Sequence, residues 1–295
     1  MPISRSQWSQ IELRPYPCDF CGSSVARAVH SKRGRLVQRT FSVVRCRSCG
    51  HVRVSPRLAD AHIPDLYDDD YYHGRGFDRT VDYSHAAQSD YRNSAIVHAI
   101  IETVAQAVNP AARTLDVGCG LGDLVLGMRD RGFESYGIDS APYARRIMEQ
   151  RNVPTLPDIE TDPQKYQATF DLVTCIEVIE HVTSPTEFLG HVKQWLRPGG
   201  LLFILTGNWN VERFVPGTPY VMPEGHIQYF TPPTLQAFLK KAGLEPYYVP
   251  VNYVWFMNRR APQKTPRFVR RMLQSLFATV LPGYAPLPLG RKPLR

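Results

Sequence analysis

The chain has 295 residues, of which 43% are hydrophobic, and a formal net charge of +8, so it can bury one large core and a second small one. No stretch approaches the roughly 18 uncharged apolar residues that span a bilayer, and the N-terminus lacks the basic-then-apolar order of a signal peptide. These features argue against a membrane-spanning chain and predict a cytoplasmic protein.

The positive charge lies at the two ends of the sequence. Lys and Arg outnumber Asp and Glu in residues 1–57 and 259–295, whereas residues 58–258 are net acidic. Basic flanks can contact a membrane surface, a phosphorylated substrate or RNA, and they can also serve solubility alone. The charge pattern by itself leaves these alternatives open.

Two C-x-x-C-G sequences, CDFCG and CRSCG, lie within residues 1–57. Each turn can present two thiolates to one ion, and four thiolates form a closed tetrahedral shell without a position for a catalytic water. The paired spacing is typical of a zinc ribbon, which predicts a structural zinc ion in a small N-terminal module. The predicted ligands are Cys18, Cys21, Cys46 and Cys49. His30 and His51 are expected to be surface residues.

Residues 58–94 are rich in tyrosine and acidic residues and show no sustained helix or strand period. They predict a connector with short helical pieces. A solvated linker is the simplest interpretation. Tyr67, Tyr71 and Tyr72 are many rings for a linker, however, and packing over a cofactor or substrate pocket is the alternative.

From residue 95 to about 258, helical and strand patterns alternate. A helix over 94–107 precedes a strand over 113–117, the glycine-rich sequence GCGLG, a helix over 122–132 and a strand that ends at Asp139. This order predicts an α/β domain with a mostly parallel sheet, helices on both faces and ligands at the carboxyl ends of the strands. The later predicted elements are helix 142–151, strands 153–156 and 170–178, helix 186–196, a turn at 197–200, strand 201–206, helix 231–243 and a strand near 245–256.

The sequence GCGLG contains Gly118, Gly120 and Gly122. These glycines allow a tight turn close to a ligand, and the following helix N-terminus offers free N–H groups. Asp139 is placed to accept both hydroxyls of a ribose. NAD and S-adenosylmethionine sites share these features, but residue 123 is an aspartate, so the dinucleotide form G-x-G-x-x-G is absent.

The stretch FDLVTCIEVIEHVTSPTEFLGHVKQWLRPGGLLFILTGN and the later GHIQYFTPPTL resemble motifs of class I S-adenosylmethionine-dependent methyltransferases. The resemblance covers residues 95–250 and is strongest to ubiquinone-type and small-molecule enzymes; many bacterial members resemble this chain in their cysteine module and tyrosine-rich connector as well. It implies a Rossmann-like methyltransferase sheet in which Asp139 binds the ribose and Asp158 reaches the adenine, although PDIET departs from the usual pattern. The implied cofactor residues are Asp116, Gly118, Cys119, Gly120, Gly122, Asp139, Asp158 and Glu177.

Methyl transfer from a sulfonium needs an in-line nucleophile and, for a hydroxyl acceptor, a base that removes its proton. His226 is the first candidate, because related enzymes have a histidine there and an imidazole pKa near ~6.5 suits this task. Glu180 and His181 are expected to orient the substrate or position the cofactor, and Tyr229 is a further catalytic candidate. Loop capping or bracing of the next helix remains the alternative role for these residues.

Residues 259–295 form a basic C-terminal tail in which apolar residues recur at helical spacing over 265–281. Such a helix can lie on an anionic membrane, which would suit a lipid-linked substrate and a peripheral location at the inner membrane surface. Packing on the catalytic domain or on a second subunit is slightly favoured.

The leading hypothesis is a methyltransferase that acts on an oxygen, in preference to carbon or nitrogen, of a small molecule, a glycan precursor or a lipid. An RNA methyltransferase that holds RNA with its basic zinc module is the first alternative. It is disfavoured because the fourth strand ends in IEVIEH and not in an N-P-P-Y-like motif. A cofactor-binding protein without catalysis is the other alternative.

Overall fold

The computed structural model describes residues 3, 5–79, 82–83, 90–156, 159, 161–214, 220–250 and 286–291. Among these residues, no helix combines the length and the apolar character that crossing a membrane requires. The C-terminal helix expected over 265–281 lies outside the described residues.

Helices and strands alternate from residue 95 onward, as the sequence predicts. The helices are α1 (Arg5–Trp8), α2 (Asp69–Tyr72), α3 (Ala95–Ala105), α4 (Asp123–Asp130), α5 (Pro142–Gln150), α6 (Pro185–Trp195), α7 (Trp209–Glu212) and α8 (Pro232–Lys241). The strands are β1 (Ala26–Arg33), β2 (Thr40–Cys46), β3 (Val52–Val54), β4 (Arg113–Val117), β5 (Glu134–Ile138), β6 (Phe170–Ile176), β7 (Leu196–Leu205), β8 (Gln228–Tyr229), β9 (Glu245–Pro250) and β10 (Pro286–Arg291). Short 3₁₀ turns cover Asp60–His62 and Pro64–Tyr67 in the connector.

The larger sheet has six strands in the order β5-β4-β6-β7-β10-β9. Strands β5, β4, β6 and β7 are parallel, and β10 runs antiparallel to both of its neighbours. The mostly parallel α/β sheet predicted from the alternating pattern is therefore confirmed. Since the parallel strands end at the same edge, the segments after Val117, Ile138, Ile176 and Leu205 meet there.

Alternate residues of each central strand enter different cores. Leu202 and Ile204 of β7 pack with α6 and α8, whereas Leu201, Phe203 and Leu205 pack with α3 and α4. A strand with apolar residues on both faces must be covered on both faces. This burial confirms the prediction of helices on both sides of the sheet.

The N-terminal module forms a second sheet in the order β1-β2-β3-β8. Its last strand comes from the region after α7, since Val52 pairs with Tyr229 and Arg53 pairs with Gln228. A separate core beneath this sheet includes Phe41, Trp209 and Tyr229. The module therefore shares both a sheet and a core with the later part of the chain.

Three elements differ from the sequence-based predictions. The segment predicted as a strand over 153–156 forms only an isolated bridge between Thr155 and Gly137. The turn predicted at 197–200 lies within β7, where the register advances from Leu196 to Leu201 while β6 advances by two residues. The turn residues thus form a bulge in a longer strand. Strand β10 has no counterpart in the sequence analysis, which assigned its residues to the tail.

Candidate active site

The glycine-rich turn after β4 closes on the end of β5. The amides of Gly118 and Cys119 donate to the Ile138 carbonyl at 2.9 and 3.1 Å. Gly118, Gly120 and Gly122 all have positive φ, at 67°, 56° and 82°, in the region that favours glycine. A Cβ on Gly118 would also lie 2.4 Å from Cγ2 of Val178, so this position has neither the conformation nor the space for a side chain.

Asp139 follows β5 and its carboxylate lies against the turn. Its Oδ2 accepts from the Gly120 amide at 2.9 Å, and its Oδ1 accepts from the Ala141 amide at 2.8 Å. These two bonds fix the orientation of the carboxylate at the carboxyl end of β5, beside the glycine-rich turn.

Asp116, within β4, is buried, and Oγ1 of Thr174 on the adjacent strand donates to its Oδ1 at 2.6 Å. Burial raises the pKa of Asp116 to about 7; the bond from Thr174 opposes this shift, and the charge of Asp139 adds to it. A carboxyl with this pKa exchanges its proton near neutrality. A nearby cation would hold it in the ionised form.

The tyrosine-rich connector packs against the glycine-rich turn. Tyr72 stacks on Tyr143 of α5 with ring centroids 4.6 Å apart, and both rings share a core cluster with Leu121 of the turn and Ala141. The aromatic residues of the connector therefore cover this end of the sheet.

Glu177 and Glu180 follow β6. Glu177 has a left-handed φ of 54°, which is strained for a residue with a side chain, and its amide donates to the Leu205 carbonyl at 2.7 Å. Glu180 is fully buried, and its Oε2 accepts from Oγ1 of Thr206 at 2.8 Å. The Glu180 carbonyl also accepts from the amides of residues 227 and 228. The end of β6 is thus tied both to β7 and to the segment that carries His226.

The imidazoles of His181 and His226 are neighbours, with ring centroids 4.6 Å apart and planes at 76°. Nδ1 of His226 lies 2.6 Å from the Tyr220 carbonyl. A carbonyl oxygen only accepts, so Nδ1 carries the proton and, in the neutral ring, Nε2 is the acceptor. Nδ1 of His181 contacts Oη of Tyr67 at 2.7 Å and the Gly225 carbonyl at 3.0 Å. Burial lowers the pKa of His181, opposed by its bond to Gly225.

Glu180, His181 and His226 each offer a ligand atom, and these atoms lie within 4.8 Å of one another. This spacing permits one divalent cation. A metal bond and proton acceptance compete for the same lone pair of His226 Nε2, so an experiment can separate the two uses.

Two predicted residues have other surroundings, and a third lies outside the part of the chain that the structure describes. Tyr229 lies fully buried in β8 against Trp209 and Tyr220, where burial raises its pKa, so the ring packs a core. His51, expected at the surface, is buried against Phe230 instead, with Nε2 2.9 Å from Oε1 of Gln228, and burial lowers its pKa to about 4. Asp158 lies outside the described residues.

The four predicted metal ligands form one cluster. Their Sγ atoms lie within 4.8 Å of one another, and the Cys18–Cys49 and Cys21–Cys46 pairs are both 3.5 Å apart. These separations are far above the roughly 2.05 Å of a disulfide and close to the edge of a tetrahedral zinc–sulfur site. Gly22 and Gly50 close the two knuckles with positive φ.

The sequence analysis assigned no role to Thr174, Tyr220 or Glu224. Thr174 and Tyr220 act on the site through bonds to Asp116 and His226. Thr174 stands in the stretch FDLVTCIEV, but nothing in that stretch pointed to its contact with Asp116, and Tyr220 lies outside the quoted motifs. Glu224 stands in PEGH beside His226, which is the one sequence signal that points to it.

Comparison with known proteins identifies relatives of this chain. A family model described as a methyltransferase domain matches residues 85–249. A ubiquinone biosynthesis O-methyltransferase of Xanthomonas axonopodis pv. citri (strain 306) is 33% identical over 162 residues, covering 49% of this chain and 68% of the relative. One from Cereibacter sphaeroides (strain ATCC 17029 / ATH 2.4.9) is 34% identical over 170 residues, covering 50% and 68%.

A solved structure shares the fold. The Burkholderia thailandensis 1,6-didemethyltoxoflavin-N1-methyltransferase, with 1,6-didemethyltoxoflavin and S-adenosylhomocysteine bound, superposes with a TM-score of 0.50 at 16% identity. The match covers 91% of this chain and 99% of that one. The family match over more than half of the chain and the curated relatives lead to one conclusion: the chain belongs to the methyltransferase family and is a class I S-adenosylmethionine-dependent methyltransferase.

Proposed function

We propose that this enzyme methylates a hydroxyl oxygen of a small molecule, with His226 as the base. The observation that carries the proposal is the 2.6 Å contact between His226 Nδ1 and the Tyr220 carbonyl, because it leaves Nε2 as a proton acceptor. The names of the relatives, which are O-methyltransferases, support an oxygen acceptor. Oη of Tyr67 contacts His181, and the Phe77 ring packs edge-on against the Tyr67 ring. Aromatic side chains next to the histidine pair suit a phenolic acceptor.

Cofactor binding is assigned to the carboxyl end of the parallel strands. Asp139 would accept from the ribose hydroxyls, and the turn from Gly118 to Gly122, including Cys119, would border the methionine part. Asp116 would face the cationic groups of the cofactor, which suits a carboxyl whose pKa is about 7. Glu177, strained at the end of β6, would face the same ligand.

When bound, S-adenosylmethionine supplies an electrophilic methyl group on sulfur. Nε2 of His226 would take the proton of the acceptor hydroxyl, so that the oxygen presents an electron pair to the methyl group and the sulfur leaves with the electrons of its bond to carbon. The His181 ring, which contacts Tyr67, packs on the His226 ring, and the Glu180 carbonyl holds the backbone just after His226. Holding the acceptor oxygen in line with the methyl group is the main contribution of such a site.

The test uses methyl-labelled S-adenosylmethionine and a host extract separated into RNA, lipid, soluble glycan and small-molecule fractions. We expect label in small molecules, its loss in Asp139→Ala, and a fall of about 10²- to 10⁴-fold in His226→Asn, the usual range for losing a general base. His191→Asn is the matched control, since His191 stacks on Trp195 in α6.

Three outcomes contradict the proposal. Label that appears only in RNA would replace the small-molecule acceptor with a nucleic acid, and label in glycan or lipid would move the acceptor class accordingly. Activity that EDTA removes and Mg²⁺ restores would assign Nε2 of His226 to a metal ion and not to proton transfer.

We also infer that the four-cysteine cluster holds a structural zinc ion, as its soft, closed donor set favours. The purified protein is expected to contain about one zinc per chain, and Cys46→Ala to lose it. Cys175→Ala is the control, since this buried thiol lies in the main sheet. The assignment would be contradicted if elemental analysis found no zinc in the unsubstituted protein, or the same zinc content in Cys46→Ala and Cys175→Ala.

A further inference from the structure

A buried carboxylate joins the N-terminal module to the loop that carries His226. Oε1 of Glu224 accepts from the amides of Leu36 and Val37 at 2.8 and 2.7 Å, and Oε2 accepts from the Arg35 amide at 2.6 Å. The three amides are consecutive and belong to the turn between β1 and β2. Glu224 is only 3% exposed, so these bonds satisfy an otherwise costly buried group.

The turn is shaped around this carboxylate. A Cβ on Gly34 would lie 2.6 Å from Oε1 of Glu224 and 2.5 Å from the Phe41 ring. The Gly34 φ is not positive, so the glycine is needed for space alone. Lys32 adds a second contact, since its Nζ donates to the Val221 carbonyl at 2.6 Å, and its charge opposes the rise that burial causes in the pKa of Glu224.

The same loop fixes the ring of His226. The amides of Gly225 and His226 both donate to the Met222 carbonyl, at 3.1 and 2.8 Å, and the His226 ring donates back to Tyr220. A Cβ on Gly225 would lie 2.3 Å from the Phe77 ring, so the backbone there has little freedom. The module thus contacts the chain beside both partners of the ring's hydrogen bond, at Val221 next to Tyr220 and at Glu224 near His226.

We propose that Glu224 is a positioning residue through which the N-terminal module holds His226 in its Nδ1-protonated form. The proposal rests on the proposed role of His226 and adds a function for the module. If the turn moves, the Tyr220 carbonyl and the imidazole separate, and Nε2 no longer has a fixed protonation state. The cysteine module then serves the active site from a distance.

The test records ring-nitrogen correlation spectra of ¹⁵N-histidine-labelled full-length protein, with His226 assigned from His226→Asn. The unsubstituted protein is expected to show an Nδ1-protonated ring at position 226. Glu224→Gln and Gly34→Ala act from the two sides of the same contact, and both are expected to lose this single tautomer while calorimetry finds their affinity for S-adenosylmethionine unchanged. This readout needs no acceptor and so stays independent of the methyl-transfer assay.

Asp171→Asn is the matched control for a general loss of packing. Its carboxylate also accepts a backbone amide, that of Arg113 at 2.7 Å, but at the opposite end of the main sheet. An unchanged His226 ring in both folded variants, or an equal change in Asp171→Asn, would overturn the role of Glu224. An Nε2-protonated ring in the unsubstituted protein would overturn the base and this proposal together.

Discussion

Single residues in this site divide into those that motifs reveal and those that only the folded chain reveals. Spacing along the sequence was enough to select Asp139, and the resemblance to known methyltransferases selected His226. The hydrogen-bond partners of Asp116 and Glu224, in contrast, cannot be read from the sequence. Thr174 is 58 residues from Asp116, and the amides bound by Glu224 are nearly 190 residues away, so no local pattern links them. Local patterns select the reacting groups, and tertiary contacts set their protonation.

Asp116 gives a prediction about pH. Burial raises its pKa from the ordinary 3.8 to about 7, so without ligand the folded state keeps a proton that the unfolded state has lost. The free energy of unfolding therefore falls, through this group, as pH rises from about 4 to about 7. In the proposed complex, the cationic groups of S-adenosylmethionine face Asp116 and favour its ionised form. Calorimetry should therefore find a higher affinity for S-adenosylmethionine at about pH 8 than at about pH 6.

Asp116→Asn is expected to bind more weakly and to lose this pH dependence, since an amide does not titrate but still accepts from Thr174. The control Asp171→Asn should keep the dependence. A pH-independent affinity in the unsubstituted protein would contradict the assignment of Asp116 to the cofactor's cationic groups.

At the scale of elements, the two turns predicted from the sequence had different outcomes. The glycine turn was predicted from its sequence, because the left-handed φ values leave few alternatives to glycine. The turn predicted at 197–200 is a bulge within β7. These residues do interrupt the register with β6, but strand β7 continues after them at Leu201. Only the pairing with β6 reveals this continuation.

Gly118 and Gly132 separate backbone strain from crowding. Both have positive φ, 67° and 91°, so alanine at either position meets the left-handed penalty of roughly 1–2 kcal/mol. A Cβ at Gly118 additionally lies 2.4 Å from Val178, whereas nothing lies within 4 Å at Gly132. Urea unfolding should therefore find Gly118→Ala less stable than Gly132→Ala, and only the former should lose cofactor binding. An equal loss of stability in the two variants would indicate that the Val178 side chain moves aside at no cost.

At the scale of the whole molecule, both sheets include strands from outside the sequence region in which they were predicted. The N-terminal sheet takes β8 from the methyltransferase region, and the main sheet takes β10 from the C-terminal tail. The strand β10 was not predictable, since PLPLGR is rich in residues that strands disfavour. Its prolines pair only with β9, whereas the residues that also pair with β7 are Leu289, Gly290 and Arg291. The recorded pairing with β7 thus begins only after the last proline of the strand.

Truncation tests the importance of this final strand. A chain that ends at residue 285 would lack β10, so β7 would keep β6 on one side but expose its other edge, and β9 would lose its partner strand. We therefore expect a lower melting temperature and aggregation through the open strand edges. A chain that ends at residue 291 retains β10 and is the matched control. Equal melting temperatures for the two chains would mean that the sheet does not depend on this strand.

The pairing of β3 with β8 also orders events during synthesis on the ribosome. The cysteine pair Cys18 and Cys49 is only 31 residues apart, so the four-cysteine cluster can assemble soon after it leaves the exit tunnel. The edge of β3, in contrast, has to wait until residues 228 and 229 emerge. Through most of translation the nascent chain therefore carries a folded knuckle beside an open strand edge, the period in which a chaperone or a neighbouring chain can occupy it.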